Sequence, residues 1–323
     1  MAKAVSFAPS TGFSLLESNN SSPKRQPKRL QQYKIGELLG SGRTCDVFAA
    51  RNRLTREKVA LKKVKYEFFA KFSDRIDKEV AIHRTFRHPN IILLHAVCFD
   101  KDTAPVLVME KAKGNIIDVL AGKPVTYIRP VLRLIVYQVL NALHEMHHRG
   151  YVHCDVKVEN VLLGFDGSFK LADFGFAQAV SDTAIETLNG TPEYMPPECF
   201  VDTGDYDEKF DIWSLGILAF VVLLGRFPDE LDVESCEEIY EALRNAHERG
   251  GLKIQDYAAE LLDADMQFLR TMLVVNRRLR PSAQALLNTP WLHNGDMGIP
   301  KKKKRNSFKR LRSATRKTFS KGL

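Results

Sequence analysis

Three side chains with hard oxygen atoms, Asp155, Asn160 and Asp173, fall within a short stretch, with Asp173 eighteen residues after Asp155. The first two stand in Tyr151-Val152-His153-Cys154-Asp155-Val156-Lys157-Val158-Glu159-Asn160-Val161-Leu162-Leu163, and the third opens Asp173-Phe174-Gly175. Carboxylates and a carboxamide brought to one point suit magnesium ions and a phosphoryl acceptor. An isolated Asp-Phe-Gly is only a turn signal, and it is the pairing with the preceding stretch that carries the information. Upstream, Lys62 in Val59-Ala60-Leu61-Lys62 is a cation in an apolar setting, and Glu79 interrupts an apolar stripe. A charge on a buried face is costly without a partner, and Lys62 is the nearest cation that could be aimed at Glu79. The competing reading is a Glu at the edge of the stripe that reaches water. Gly40 and Gly42, in Leu39-Gly40-Ser41-Gly42-Arg43-Thr44-Cys45-Asp46-Val47, could let backbone N–H groups approach phosphate oxygens.

The elements that must hold these residues follow from periodicity. Residues 33–69 read as strand-rich, and alternation in 59–64 puts Ala60, Lys62 and Val64 on one face and Val59, Leu61 and Lys63 on the other. Because Val47-Phe48-Ala49-Ala50 continues as strand after the glycines, a dinucleotide-binding turn, which opens a helix at that point, is disfavoured. Helical spacing over 73–86 aligns Ile76, Glu79, His83 and Phe86. Strand-like 106–109 leads to a short polar stretch with Gly114, read as a hinge. Beyond it the pattern is mostly helical, over 128–148, 208–224, 235–248, 258–274 and 282–288.

In this order the motifs resemble the eukaryotic protein kinase superfamily, serine/threonine type, over residues 33–293. Gly190-Thr191-Pro192-Glu193-Tyr194-Met195-Pro196-Pro197-Glu198 is similar to the end of an activation segment. Asp211-Ile212-Trp213-Ser214-Leu215-Gly216 resembles the buried anchor helix of the larger lobe, and Arg280 matches the arginine that pairs with Glu198. The resemblance implies an α+β bilobal fold, with a β-rich N-lobe (33–109), a hinge (110–114) and a helical C-lobe (115–293). It implies ATP with Mg2+, Mn2+ being an alternative ion, and protein substrates. By the same resemblance Gly40 and Gly42 cover the phosphates, Leu39 and Ser41 beside them belong to the nucleotide-binding residues, and Lys62, paired with Glu79, holds the α- and β-phosphates. Asp155 accepts the hydroxyl proton, Lys157 neutralises charge on the γ-phosphoryl group, and Asn160 and Asp173 hold magnesium. Val47, Ala60 and Leu162 enclose the adenine, Met109 forms the back wall, and Glu110 to Ala112 supply hinge hydrogen bonds. Lys157 and Thr191 point to the serine/threonine type, and Thr187 takes the position that is often phosphorylated.

Three departures from the family pattern stand out. Cys45 replaces the third glycine of the phosphate loop, either as an inert small residue or as a modifiable thiol. Cys154 stands where an arginine normally reaches the phosphorylated activation segment, which implies weak dependence on Thr187 phosphorylation. His83 occupies a place usually held by Leu or Met against the Asp-Phe-Gly phenylalanine, and reads as a packed core histidine in preference to a pH sensor. Asn115 and Val221 occupy positions where kinases that prefer Arg-flanked sites carry acids, so a strong preference for Arg-flanked sites is not supported. A pseudokinase scaffold of the same fold is the rival reading, although Lys62, Asp155 and Asp173 are all retained.

Composition bounds the rest. The net charge of +9 comes from the ends: residues 301–323 hold eleven Lys or Arg and no acid, residues 1–31 carry +4, and residues 32–300 carry −6. Residues 1–32 read as a disordered Ser/Pro/Lys-rich tail and 294–323 as a polybasic tail. Within the latter, Pro300-Lys301-Lys302-Lys303-Lys304-Arg305 resembles a nuclear import signal. A basic amphipathic pattern in 306–323 also suits an anionic membrane surface, a calmodulin-like groove or nucleic acid. Ser307, Ser313 and Thr318 are candidate phosphosites that would weaken such binding. Five scattered cysteines without a Cys-x-x-Cys pair argue for free thiols, and no apolar run reaches eighteen residues. The expectation is an intracellular protein, nuclear or cytoplasmic.

Overall fold

The computed structural model describes residues 30–99, 104–180, 190–200 and 207–293. Five antiparallel strands form the N-terminal sheet: β1 (Tyr33–Ser41), β2 (Cys45–Asn52), β3 (Lys58–Val64), β4 (Leu94–Cys98) and β5 (Val106–Glu110), in the spatial order β1-β2-β3-β5-β4. The two-residue period of β3 and β5 divides their side chains between two clusters. Val59, Leu61, Val106 and Val108 pack with Tyr33 and Cys98 on one face, while Val64 and Leu107 pack with Ile76 and Val80 of a helix on the other. That helix, α1 (Tyr66–Thr85), is longer than expected from the stripe at 73–86, and it begins inside the stretch read as strand-rich. Phe72, at φ −135° and ψ 40°, breaks it into two pieces, so the expected stripe corresponds to the second piece. Order also starts earlier than residue 33. Leu30–Gln32 forms a 3₁₀ turn whose Gln32 carbonyl accepts from Arg53 N, and Leu30 packs against the sheet.

The larger lobe is built on α3 (Val125–His148) and α4 (Lys209–Leu224). In α4 every residue from Phe210 to Leu223 is buried, so it is apolar all round, as a helix at the centre of a lobe must be. It stops at Gly225, whose φ of 72° closes the helix in the left-handed region. Around this pair lie α2 (Ile116–Leu120), α5 (Cys236–Arg249), α6 (Asp263–Met272), α7 (Ala283–Leu287) and α8 (Pro290–His293). The helix expected over 258–274 is shorter, because a 3₁₀ turn at Ile254–Tyr257 and extended Leu262 precede it. Among the described residues no helix is long and apolar enough to cross a membrane.

Short strands carry the loops between the lobes. β6 (Gly114–Asn115), β8 (Val161–Leu163) and β9 (Phe169–Leu171) form one ribbon, and β7 (Tyr151–Val152) pairs with β10 (Gln178–Ala179). Leu171 O accepts from Ile92 N at 2.9 Å, and Leu171 N donates to Asn90 O at 2.8 Å, fastening the N-terminal half to the floor of the cleft.

Candidate active site

Lys62, on the third strand of the sheet, donates from Nζ to Glu79 Oε1 at 2.7 Å and to Asp173 Oδ1 at 2.8 Å. Lys62 and Glu79 are both buried, so Glu79 does not reach water at the edge of its stripe. Asp173 joins them from the loop after β9 with a backbone φ of +65°, and Gly175 N caps its Oδ1 at 3.3 Å. Arg75, one turn before Glu79 on α1, fastens the same loop. Its Nε donates to Gly175 O at 3.0 Å and its guanidinium lies 4.1 Å over the Phe176 ring. Burial opposes the charge on Lys62, yet Asp173 and Glu79 together hold its ammonium pKa well above the ordinary value. Burial alone would raise Asp173, but Lys62 outweighs it and keeps the carboxyl far below the usual range.

The second cluster lies on the loop between β7 and β8. Lys157 Nζ donates to Asp155 Oδ1 at 3.0 Å and to Thr191 Oγ1 at 2.8 Å, with Asp155 Oδ2 also 2.8 Å away. Asn160 Nδ2 bridges Asp155 O and Asp155 Oδ2, both at 2.8 Å, which turns its Oδ1 away as a free hard ligand. Asp211, buried at the start of α4, holds the loop backbone: its Oδ2 accepts from His153 N and its Oδ1 from Cys154 N, both at 2.9 Å. These bonds help to hold Cys154 at a left-handed φ of 62°. The His153 ring accepts from Asp155 N at 3.3 Å and lies 3.2 Å from Ala172 O, fixing a neutral ring that burial favours over the cation.

His83 stacks on Phe174, centroids 4.3 Å apart and planes at 11°, while its Nε2 donates to Ile92 O at 2.6 Å. Phe174 meets His153 edge-on at 5.2 Å, so a continuous aromatic contact runs from α1 to the loop that carries Asp155. Nδ1 of His83 is buried without a partner, and burial lowers its pKa to about 4. The unfolded chain therefore binds a proton at His83 that the folded chain does not, between about pH 4 and 6.5. Stability contributed by neutral His83 is present above pH 6.5 and is lost as pH falls toward 4. The 2.5-unit interval corresponds to about 3 kcal/mol. In urea titrations from pH 7.5 to 4.5, His83→Leu is expected to flatten the acid limb. An unchanged slope would assign that limb to other groups.

Above these clusters, Gly40 pairs with Val47 across the β1–β2 hairpin, and a β-carbon built on Gly40 meets no atom within 4 Å. Nothing among the described residues crowds that position, so the loop leaves room for a close backbone approach. Lys65 Nζ donates to Gly42 O at 2.7 Å, and Ser41 Oγ donates to Asp46 Oδ1 at 2.5 Å, bracing the turn. Leu39 is exposed at its mouth, Val47 and Leu162 are half-buried, and Ala60 is buried. Glu110 N donates to Leu93 O, and the Glu110 carboxylate pairs with Lys170 Nζ at 3.1 Å, so this hinge side chain is structural. Ala112 follows it, half-buried, and Met109 packs against the cluster on α1. Burial raises the Cys45 thiol pKa against the opposing pull of Lys62, which favours an inert residue over a reactive one.

At the far side of the cleft, Arg280 clamps Glu198 with Nη1 to Oε1 at 2.8 Å and Nη2 to Oε2 at 3.0 Å. The sequence pattern of a protein kinase domain matches residues 33–292. The chain belongs to the protein kinase family. Similar proteins include serine/threonine-protein kinase D2 of Rattus norvegicus, 32% identical over 79% of this chain and 29% of the relative. Serine/threonine-protein kinase dkf-1 of Caenorhabditis elegans is 32% identical over 81% of this chain and 36% of the relative. The Aurora kinase of Encephalitozoon cuniculi is 31% identical over 82% of this chain and 96% of its own length. The chain thus spans under a third of the kinase D relative but almost all of the Aurora one.

In this kinase domain the Cys154 side chain packs in an apolar cluster. It is buried with Val152, Met195 and Phe210, flanked by Phe176, Cys199 and Phe200, and its sulfur accepts from Gln178 Nε2 at 3.2 Å. Burial holds the thiol pKa well above its ordinary value. Arg75, Asp211 and Gln178 take part in the site without having been singled out for these roles from the sequence. For Asp211 a signal existed, since an acid entering a long apolar run needs buried donors. Arg75 and Gln178 carried none. Thr187 and the polybasic residues 294–323 lie outside the described residues, as do residues 1–29.

Proposed function

We propose that the chain is a catalytically active serine/threonine protein kinase that transfers the γ-phosphoryl group of ATP to protein hydroxyls. One observation carries this over a pseudokinase scaffold. The Lys62–Glu79–Asp173 contacts and the Asp155–Lys157–Thr191–Asn160 cluster are assembled together, each within hydrogen-bond distance. On this reading Lys62 holds the α- and β-phosphates, and Gly40 and Gly42 give backbone contact with the phosphate chain. Asp173 and the outward Oδ1 of Asn160 suit magnesium, which takes few protein ligands and completes its shell with phosphate oxygens and water. When bound, it neutralises charge on the phosphates. Asp155, oriented by Lys157 and Asn160, receives the proton of the attacking hydroxyl, and Lys157 faces the developing charge. Thr191, joined to Lys157 and 3.4 Å from Asp155, shapes the place where an aliphatic hydroxyl enters.

The test is transfer from labelled ATP with magnesium to generic Ser/Thr substrates, wild type against Asp173→Ala, with nucleotide binding measured in parallel. Transfer lost only in the variant supports the enzyme. A folded, ATP-binding wild type that transfers nothing favours the scaffold.

Cys154 supports weak dependence on activation-segment phosphorylation. The apolar contacts of Met195, Cys199 and Phe200 with the cluster around Cys154 join the loop of Asp155 to the activation segment without a phosphate. Thr187→Ala is expected to keep transfer rates within about threefold, a change worth under 1 kcal/mol in the barrier. Loss of activity in Thr187→Ala with recovery in Thr187→Glu would show that a phosphate is required.

A further inference from the structure

The hairpin that joins β2 to β3 carries more charge than its turn requires. Arg51, Arg53, Arg56 and Lys58 stand on it or at its base, against Glu57 alone. Among the described residues none of the four cations makes an ion pair, and Glu57 faces His95 at 3.8 Å. Arg56 lies at φ 63°, in the left-handed region that glycine or asparagine adopts more readily, so the turn itself does not call for arginine. At the tip, Leu54 is 85% exposed. Its backbone is nonetheless fixed, because Asn52 Oδ1 accepts from Leu54 N at 2.9 Å and from Thr55 N at 3.1 Å. A held turn thus presents a bare leucine among unpaired cations.

The basic surface continues from the hairpin in two directions. Lys58 Nζ lies 5.8 Å over the ring of Phe165, in the turn between β8 and β9, and Lys113 Nζ lies 5.7 Å over the same ring. Phe165 is a second exposed apolar side chain, and Lys113 brings the hinge stretch into the same surface. The acid that follows Phe165 is engaged: Asp166 pairs with Lys170 at 3.2 Å and accepts from Ser168 Oγ at 2.7 Å. On the other side, Arg53 N donates to Gln32 O and Arg53 Nε to Gln31 O, so the chain enters the fold against the hairpin. Residues 24–34, which lead into that contact, hold five Lys or Arg and no acid.

This concentration of cations stands out from a body whose residues 32–300 carry −6 overall. Unpaired surface cations attract the phosphates of a lipid leaflet or of a nucleic acid. The apolar groups distinguish the two. Phe165 could stack on a base, but a polynucleotide gives Leu54 no apolar medium to enter. An anionic bilayer sets its phosphates directly above acyl chains. Lys and Arg then remain at headgroup level while leucine and phenylalanine reach below it.

We propose that Leu54 and Phe165, with Arg53, Arg56, Lys58 and Lys113, form a face that docks on an anionic phospholipid leaflet, and that the basic residues 24–29 add charge beside it. This face is separate from the polybasic residues 301–323, which follow the other end of the domain, and its docking does not depend on phosphoryl transfer. The N-terminal sheet supplies Leu54 and Lys58, and the turn after β8 supplies Phe165, so both lobes meet the same leaflet.

The test is co-sedimentation of the full chain with vesicles of equimolar phosphatidylserine and phosphatidylcholine, with phosphatidylcholine vesicles as the uncharged control. Arg53→Gln/Arg56→Gln/Lys58→Gln is expected to lower the partition coefficient ~100-fold, at about fivefold for each cation near an anionic leaflet. Leu54→Ser is expected to lower it about tenfold, the lower end for returning a leucine side chain to water. These positions are exposed, and melting temperatures are expected to match wild type. A second measurement reads the tip directly. In Leu54→Trp, phosphatidylserine vesicles with brominated acyl chains are expected to quench the introduced indole, while Trp213 and Trp291, both buried, are not quenched. Vesicle binding that the triple change leaves unaltered would assign all lipid contact to the ends of the chain and overturn the proposal, as would an introduced indole that is not quenched. Weak vesicle binding together with salt-sensitive capture of a DNA oligonucleotide, lost in the triple change but kept in Leu54→Ser, would make the face a nucleic-acid surface and also overturn it.

Discussion

Asp155→Asn is expected to lower kcat about 10²- to 10⁴-fold, the range associated with losing a positioned general base, while KM for ATP changes little. The carboxylate is buried and carries three interactions at once, from Lys157, Asn160 and the Thr191 hydroxyl. An amide of the same shape keeps one acceptor oxygen for Lys157 but sets an NH2 group against the Nδ2 of Asn160, and it cannot take up the hydroxyl proton. Lys157, whose pKa the Asp155 carboxylate raises against the opposing effect of burial, also loses its counter-charge. The Lys62–Glu79–Asp173 contacts lie on other elements and are untouched, so ATP affinity serves as an internal control. A fall in kcat confined to tenfold would mean that Asp155 orients the hydroxyl without taking its proton. A collapse in ATP binding or melting temperature would mean that its contribution is structural.

Arg280→Leu is expected to remove about 3–5 kcal/mol of stability, the usual consequence of breaking a buried pair from one side. The guanidinium is wholly enclosed. Besides both Glu198 oxygens it donates to Lys209 O at 2.8 Å and Val274 O at 3.0 Å, and it lies 5.1 Å over Trp213. Leucine fills part of the volume but removes the donors to the Glu198 carboxylate and to the backbone carbonyls of Lys209, Val274 and Val275. Against a total stability of ~5–15 kcal/mol the loss is severe, and at ~2–4 °C per kcal/mol the melting temperature falls by about 10 °C. Because the pair is enclosed, added salt is not expected to reproduce the effect. Glu198→Leu/Arg280→Leu is expected to lose less than the sum of the single changes, since it removes the orphaned charge as well. Additive losses would show that the two residues stabilise the lobe independently.

The local layer of this structure was legible in the chain. Alternation over 59–64 separates the two packing faces of the third strand because side chains on a strand must alternate. The position of Glu79 on an apolar stripe left two readings, a buried partner in Lys62 or an edge position in water, and the contact with Lys62 decides for the first. Other boundaries were not legible. The start of α1 at Tyr66 and its break at Phe72 depend on how Phe68 and Phe69 settle against the sheet, a packing choice without its own period. The same holds for Cys154. Its identity showed that an arginine was missing, but only the fold shows an apolar cluster and the Gln178 amide around it.

The sequence by itself determined which chemical groups are available, in what order, and which face of each element carries them. Those properties depend on residue type and on the fixed periods of helix and strand. Tertiary structure alone decided which groups from distant segments meet. Lys62 reaches Asp173 across 111 residues, Arg280 reaches Glu198 across 82, and Asp211 holds the backbone of Cys154 across 57. No local period encodes such pairs. Each exists because burying a charge or a strained backbone is unfavourable unless packing delivers its partner to within hydrogen-bond distance.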